Sequence, residues 1–421
     1  MKAEIIAVGS EMLTAYRVDT NSLLLTDELN KLGIEVTRKV IVGDDRAGLR
    51  ETFREALKRA ELVIAIGGLG PTEDDVTREA VAELLGRKLL LNEEILRGIQ
   101  ERFRRFGRVM SETNKRQAMV PEGATVLENK RGTAPGLWME ERGRIVILLP
   151  GPPNEMKAMF EAQVRARLEK VSSGQRLYTR ELRVAGLPES EIDQRIAPIY
   201  TGTTDAQTTI LAAPGEIQVH LRAWSGDAAA ANRTLDELVE RIRFALGEAV
   251  FTTQGEDMET VVANALNQNH ATIAVAESCT GGLVAQRLTS IPGSSSYFLG
   301  GVVCYSNELK SAWADVPAEL IEAKGAVSAE VAIALAEGIR RSTGAQLGIG
   351  ITGIAGPSGG TPEKPVGTVH IALANESATK ERSMHFPGDR ERIRLYASQT
   401  AMDMVRRYFL QKQREATQAK G

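Results

Sequence analysis

Residues 61–84 read ELVIAIGGLGPTEDDVTREAVAEL, and their order decides the fold class. Leu62–Ile66 is a short apolar, β-branched run closed by glycine, the pattern of a buried strand. It passes directly into Gly67, Gly68 and Gly70, and then into Asp74 and Asp75 at the start of a helix. A strand, a glycine-rich loop and a helix in that order make one unit of a parallel α/β sheet, whose ligands sit outside the carboxyl ends of the strands.

The same alternation extends on both sides. Strands are expected at 3–8, 35–42 and 144–149. Between them Leu23, Leu24, Leu25, Leu29 and Leu32 recur at helical spacing, as do Phe53, Ala56, Leu57 and Ala60, and Asp45 suits the N-cap of the second helix. Residues 171–253 break the pattern. They read strand (177–185), helix (189–197), strands (208–213 and 216–224), helix (228–246), strand (248–252), the order of a ferredoxin-like unit. From 254 the alternation resumes, with strands at 272–276, 297–305, 346–351 and 367–374. A last helix starts near Asp389, followed by a polar tail after Leu410 that is expected to fray. The expected fold is therefore α/β: two strand–helix alternating, three-layer domains (1–170 and 254–421) joined by a small α+β ferredoxin-like domain (171–253). No internal repeat joins the two larger domains.

Composition narrows the function. The 421 residues carry 52 Lys and Arg against 55 Asp and Glu, a net charge of −3, so no basic domain announces nonspecific nucleic-acid binding. The local exception, Arg102, Arg104, Arg105 and Arg108 followed by Lys115 and Arg116, reads as a solvated helix face. No apolar stretch approaches the ~18–20 residues that span a bilayer, and Glu4 inside MKAEIIAVGSEML suits a first strand rather than a signal peptide. Two cysteines, Cys279 and Cys304, build no disulfide framework or thiolate metal site. A cytoplasmic location is expected.

Five loops could carry chemistry. Amides of the 67–77 loop can cradle an anion, although acidic residues at a helix start also serve the dipole alone. PGPPNEM (150–156) is a rigid turn that brings Glu155 into a first helical turn, where it can wall the same cleft. ESCTGG (277–282) puts Ser278, Cys279 and Thr280 at a strand-to-helix turn, where a nucleophile or simply an N-cap belongs. CYSNELK (304–310) brings Tyr305 and Lys310 to a neighbouring strand end, where either can take a proton from serine. The glycines of GITGIAGPSGGTPEKPVGTV (350–369) suggest a phosphate nest charged by Lys364, without the spacing of a nucleotide triphosphatase. His220, His270, His370 and His385 are scattered and read as structural, with a Cys279 nucleophile served by His270 or His370 left open.

In this order, GGLGPTEDD, PGPPNEM, ESCTGG, CYSN, GITGIAGP and EKPVGTV resemble the CinA family of competence/damage-inducible proteins, over nearly the whole chain. The resemblance implies an N-terminal molybdopterin-binding, MogA-like domain with ADP-ribose pyrophosphatase activity. It also implies a C-terminal nicotinamide mononucleotide (NMN) deamidase of pyridine-nucleotide salvage, and a homodimer. Ser278 would be the nucleophile, activated by Tyr305 and Lys310, with helix-start amides holding the oxyanion and no cofactor. Thr280, Gly281, Gly282, Thr352, Gly353, Lys364, Arg390 and Arg394 would surround NMN. Asp19, Asn21, Gly67, Gly68, Gly70, Pro71, Thr72 and Asn114 would bind ADP-ribose, with a divalent metal ion on Asp74, Asp75 and Glu155. Where the family reads GTELLxGxxVDTN, this chain has GSEMLTAYRVDTN, so Ala15 replaces a glycine and adds a Cβ where a ligand is expected. The partners implied are small nucleotides, with no membrane and no direct nucleic acid. The alternative is a nucleotide-sensing scaffold for competence or damage response that lacks N-terminal turnover.

Overall fold

A computed structural model describes residues 1–172 and 174–418. The chain divides into two compact units, Met1–Tyr178 with Trp224–Ala231, and Thr179–Ala223 with the chain from Asn232 onward.

The first unit is built on a six-stranded sheet of β1 (Lys2–Val8), β2 (Glu35–Val42), β3 (Leu62–Ile66), β4 (Thr125–Leu127), β5 (Gly136–Glu141) and β6 (Arg144–Leu149), in the order β2-β1-β3-β6-β5-β4. The first four in that order run parallel; β5 and β4 add an antiparallel edge that helix–strand alternation could not announce. Neighbouring residues of one strand serve opposite faces. Ile5, Ile64 and Ile147 join one core with Leu25 and Leu29, whereas Ile6, Val63 and Val146 join another with Phe53 and Ala56. A sheet buried on both faces explains why these strands are apolar throughout. Leu23 departs from the expected stripe: on α1 (Thr20–Lys31), Leu25 and Leu29 face inward and Leu23 is exposed. Asp45 caps α2 (Arg46–Arg59), its carboxylate accepting from Gly48 N at 2.6 Å. α3 (Thr77–Leu84) and α4 (Glu93–Arg105) follow, and helix α5 (Pro153–Met159) leaves the 150–152 turn.

A four-stranded sheet, most of it in the second unit, contains β7 (Arg176–Val184), β8 (Gln207–Ala213), β9 (Glu216–Ser225) and β10 (Val250–Thr252), ordered β8-β9-β7-β10, with helices α6 (Glu189–Tyr200) and α7 (Ala228–Leu246). In local numbering this is 2-3-1-4, the sheet order of a ferredoxin-like unit.

After α8 (Met258–Gln268), the C-terminal sheet contains β11 (Ile273–Glu277), β12 (Phe298–Val303), β13 (Leu347–Gly353), β14 (Thr368–Ala374) and β15 (Thr379–His385), ordered β12-β11-β13-β14-β15. β12, β11 and β13 are parallel, and β14 and β15 antiparallel. Ile273 and Val275 enter one core, Ala274 and Ala276 the other, so this layer too is covered on both faces. Its helices are α9 (Leu283–Thr289), α10 (Asn307–Ala314), α11 (Ala318–Lys324), α12 (Ala329–Thr343) and α13 (Arg390–Gln418). The expectation of a frayed tail is corrected, because α13 continues through Gln418. Among the described residues no helix is long and apolar enough to cross a membrane.

Candidate functional site

The carboxyl end of β11, the middle of the parallel strands, delivers Ser278. Ser278 N–H donates to Ile351 O at 3.0 Å, and Gly281 and Gly282 adopt left-handed φ of 60° and 90° to close the turn into α9. Glu277, overlooked in the sequence reading, shapes this turn. It is fully buried, and its carboxylate accepts from Gly282 N (3.0 Å), Val284 N (3.1 Å) and Ala285 N (2.8 Å). The expected oxyanion donors are therefore corrected: three helix-start amides are already engaged. Among the described residues the amides of Cys279 and Thr280 have no acceptor, and they are the remaining donors beside Ser278.

The two adjacent nucleophiles face different surroundings. Cys279 is buried in the apolar core with Val284 and Ile351, and burial pushes its thiol up to about 12. That protonated thiol is no nucleophile near neutral pH. His370 Nδ1 lies 2.8 Å from Ser383 Oγ and 3.1 Å from Glu381 Oε1 on β15, and serves those groups.

Lys310 sits on the first turns of α10, whose N-cap Ser306 accepts from Leu309 N. Cys304 N–H donates to Glu277 O at 2.9 Å, which sets residue 304 level with Ser278 across the strand pair. Lys310 Nζ donates to Cys304 O and Tyr305 O, each at 3.1 Å, and is thereby held at that level with a third N–H position left over. The side chain is buried, and burial pushes its ammonium below the usual lysine range. Tyr305 differs from expectation. Its main-chain oxygen meets Lys310, whereas the residue is 58% exposed and its phenol oxygen accepts from Arg390 Nη2 at 3.0 Å.

The first turns of α13 close the site. Arg390 Nη1 donates to Gly356 O at 2.9 Å, and Arg394 donates to Thr280 O from Nε (3.1 Å) and Nη2 (2.8 Å). Thr280 is fully buried, and its hydroxyl has no partner among the described residues. Ser278, Thr280, Gly281, Gly282, Tyr305, Lys310, Arg390 and Arg394 thus gather at one sheet end. Lys364 and Thr352 serve differently from expectation. Lys364 Nζ donates to Lys324 O (3.1 Å) and Val327 O (2.7 Å), and Thr352 Oγ1 donates to Ala326 O (2.7 Å), so both strap the 324–327 loop. Gly350 lies within β13, as does Gly353 at its end. A Cβ at Gly350 would run into the Ala332 carbonyl, so that glycine serves helix packing rather than a phosphate nest.

In the first unit a cavity of about 630 Å³ lies at the carboxyl ends of β1, β3 and β6. Of the expected residues, Asp19, Asn21, Gly67, Gly68, Gly70, Pro71, Asp74, Asp75 and Glu155 line it. Gly67 and Gly68 have φ of 104° and 66°, and a Cβ there would strike Val8 O and Thr77 Oγ1. Among the described residues the amides of Gly68, Leu69 and Gly70 have no acceptor, which suits an anion. Asn21 Nδ2 donates to Gly151 O at 2.7 Å, joining α1 to the 150–152 turn.

Two expected residues fall outside the lining. Thr72 gives its N–H and hydroxyl to Asp75 Oδ2 (2.9 and 2.5 Å), and buried Asn114 donates to Gln117 Oε1 at 3.1 Å. Gln117 itself lines the cavity, as do Glu11, Asp44 and Thr133. Ala15 does not reach it. It is exposed on a turn, without positive φ and outside the cavity lining.

The carboxylates Asp74, Asp75 and Glu155 share this cavity without forming a ligand set. Asp75 Oδ2 is turned onto Thr72, and Glu155 Oε2 accepts from Asn129 Nδ2 at 2.7 Å. Among the described residues no three His, Cys, Asp or Glu side chains gather to hold a metal ion, so these residues do not fit a protein-only metal site.

Two α/β layers, with a ferredoxin-like unit between them in the chain, define a multidomain α/β protein. Residues 4–170 match the family described as a probable molybdopterin binding domain, residues 179–252 the damage-inducible protein CinA KH domain, and residues 255–409 the CinA C-terminal domain. A CinA-like protein of Solibacter usitatus is 50% identical over 407 residues, covering 97% of this chain and 98% of that protein. A putative competence-damage inducible protein of Acetivibrio thermocellus is 43% identical, covering 97% and 99%. The crystal structure of the protein CinA with unknown function from Thermoplasma acidophilum is 36% identical, covering 39% of this chain and 96% of that one, with a TM-score of 0.37. The chain belongs to the CinA-like family.

Proposed function

We propose that the C-terminal site hydrolyses the carboxamide of NMN to nicotinate mononucleotide and ammonia. The observation that carries this reading is Lys310 Nζ held on the carbonyls of Cys304 and Tyr305, at the end of the strand that pairs with the one delivering Ser278, with Cys279 sealed in the core. Neutral Lys310 takes the Ser278 proton as Oγ bonds to the carboxamide carbon, and the amides of Cys279 and Thr280 receive the oxyanion. Lys310 returns that proton to the departing nitrogen, the C–N bond breaks, and ammonia leaves an acyl-serine. Water then adds to the ester carbon, giving a proton to the same amine. Collapse breaks the C–Oγ bond as Lys310 returns its proton to Ser278 Oγ, and the nicotinic acid released gives its proton to water. Arg390 and Arg394 supply positive charge for the mononucleotide phosphate.

The N-terminal cavity is the proposed site of ADP-ribose hydrolysis, with the amides of Gly68, Leu69 and Gly70 cradling the diphosphate. The test is ammonia release from NMN and loss of ADP-ribose by the full chain, with and without chelator. Ser278→Ala is expected to abolish ammonia release, Cys279→Ala to keep most of it, and Asp75→Ala to remove only the ADP-ribose activity. An active Ser278→Ala with a folded but dead Cys279→Ala would reverse the assignment. Binding of both compounds without turnover would make the protein a nucleotide-sensing scaffold.

A further inference from the structure

The N-terminal cavity is acid-rich. Glu11, Asp19, Asp44, Asp74, Asp75 and Glu155 line it against one cationic side chain, Arg17. A nucleoside phosphate needs further positive charge and a surface for its base. A second cavity of about 380 Å³ offers both. It is lined by Arg102, Phe103, Phe106, Arg108 and Thr133, and Thr133 lines the acid-rich cavity as well.

The groove is built by the end of α4. Gly107 takes a φ of 66°, Gly107 N–H donates to Arg104 O at 3.0 Å, and Arg108 N–H donates to Phe103 O at 3.0 Å. This paired closure of a helix end usually seats an apolar residue at the position after the glycine. Here that residue is Arg108, whose exposed guanidinium has no partner among the described residues. Phe103 packs on Leu96, Ile99 and Ala118 and forms a fixed floor. Phe106 remains 72% exposed beside it. Arg102 is fixed by the carbonyls of Lys130 (3.1 Å) and Arg131 (2.5 Å). Planar aromatic rings flanked by guanidinium groups favour a stacked base carrying a phosphate.

We infer that the Phe103–Phe106–Arg108 groove is a binding site for the base and adjoining phosphate of a nucleoside phosphate, whose remaining part passes Thr133 into the acid-rich cavity. The inference rests on the nucleotide reading of that cavity. It gives the arginine-rich end of α4 a ligand in place of bulk solvent.

The experiment compares AMP with ribose 5-phosphate, by calorimetric titration of the full-length protein and its Phe106→Ala variant. Loss of one stacking ring is expected to weaken AMP binding about 5- to 150-fold, with ribose 5-phosphate changed less than about twofold. Arg108→Gln is expected to weaken AMP binding as well. Unchanged AMP affinity in Phe106→Ala, or equal losses for both ligands, would overturn the groove while leaving the cavity reading intact. A wild type that binds neither compound would overturn both. A variant that alters sedimentation without altering AMP affinity would make this face an interface between protein chains instead.

Discussion

Replacing Glu277 by alanine tests how the Ser278 turn is held. The substitution removes the acceptor of three main-chain N–H groups at 2.8–3.1 Å, all at the start of α9. A hydrogen bond to a charged group contributes about 1.5–3 kcal/mol, and a loosened first turn recovers part of that from water. The net loss should be about 3–5 kcal/mol, a large share of the 5–15 kcal/mol typical of a folded domain. Glu277→Gln keeps the shape and one acceptor oxygen, and should lose only about 1–2 kcal/mol. Urea unfolding followed by far-ultraviolet circular dichroism reads both losses, and ammonia release reads the site. The Gln variant should stay folded with kcat reduced about tenfold or more and KM little changed, because a turn held by fewer bonds no longer fixes the Cys279 and Thr280 amides on the oxyanion. A Glu277→Ala protein within about 1 kcal/mol of wild type, with a normal rate, would refute the reasoning.

Lys310 should act as a base only when neutral, so kcat/KM is expected to rise with pH along a limb set below the ordinary lysine value of 10.5. The unfolded chain keeps that higher value, so between the two it holds an extra proton and stability rises with pH; Lys310→Met should erase both the limb and that slope of the urea midpoint. A fragment beginning at Thr179 should also resist urea better than one beginning at Glu256. The shorter piece loses Ala185 and Phe251 from the C-terminal core, and the Glu248 carbonyl that Arg406 meets at 2.7 Å, a deficit of about 2–4 kcal/mol. Equal midpoints would show the two parts to be energetically independent.

The strands flanking 67–77 and 277–282 were legible because each is an apolar run that stops at glycine, and burial on both faces leaves no polar interruption. The antiparallel edges β4–β5 and β15 were not, since TKERSMH alternates as a half-exposed strand with few apolar markers. Residue types at the strand ends suggested candidate residues, but partners decide roles. Lys364 looked like a phosphate ligand until its ammonium was placed on two carbonyls, and Asn114 until its amide met Gln117. Glu277 escaped notice because nothing in a sequence distinguishes a carboxylate that folds back onto three amides from one facing solvent.

The seclusion of Cys279 bears on how the protein withstands oxidants. Peroxide and electrophiles consume thiolates, and an amidase built on a thiolate is lost whenever its nucleophile becomes a sulfinic acid. Cys279 is 4% exposed and Cys304 fully buried, and burial raises both thiols. An alkoxide formed only during turnover offers such reagents no resting target. A Ser278-based site would therefore keep working through oxidative stress that silences thiolate enzymes.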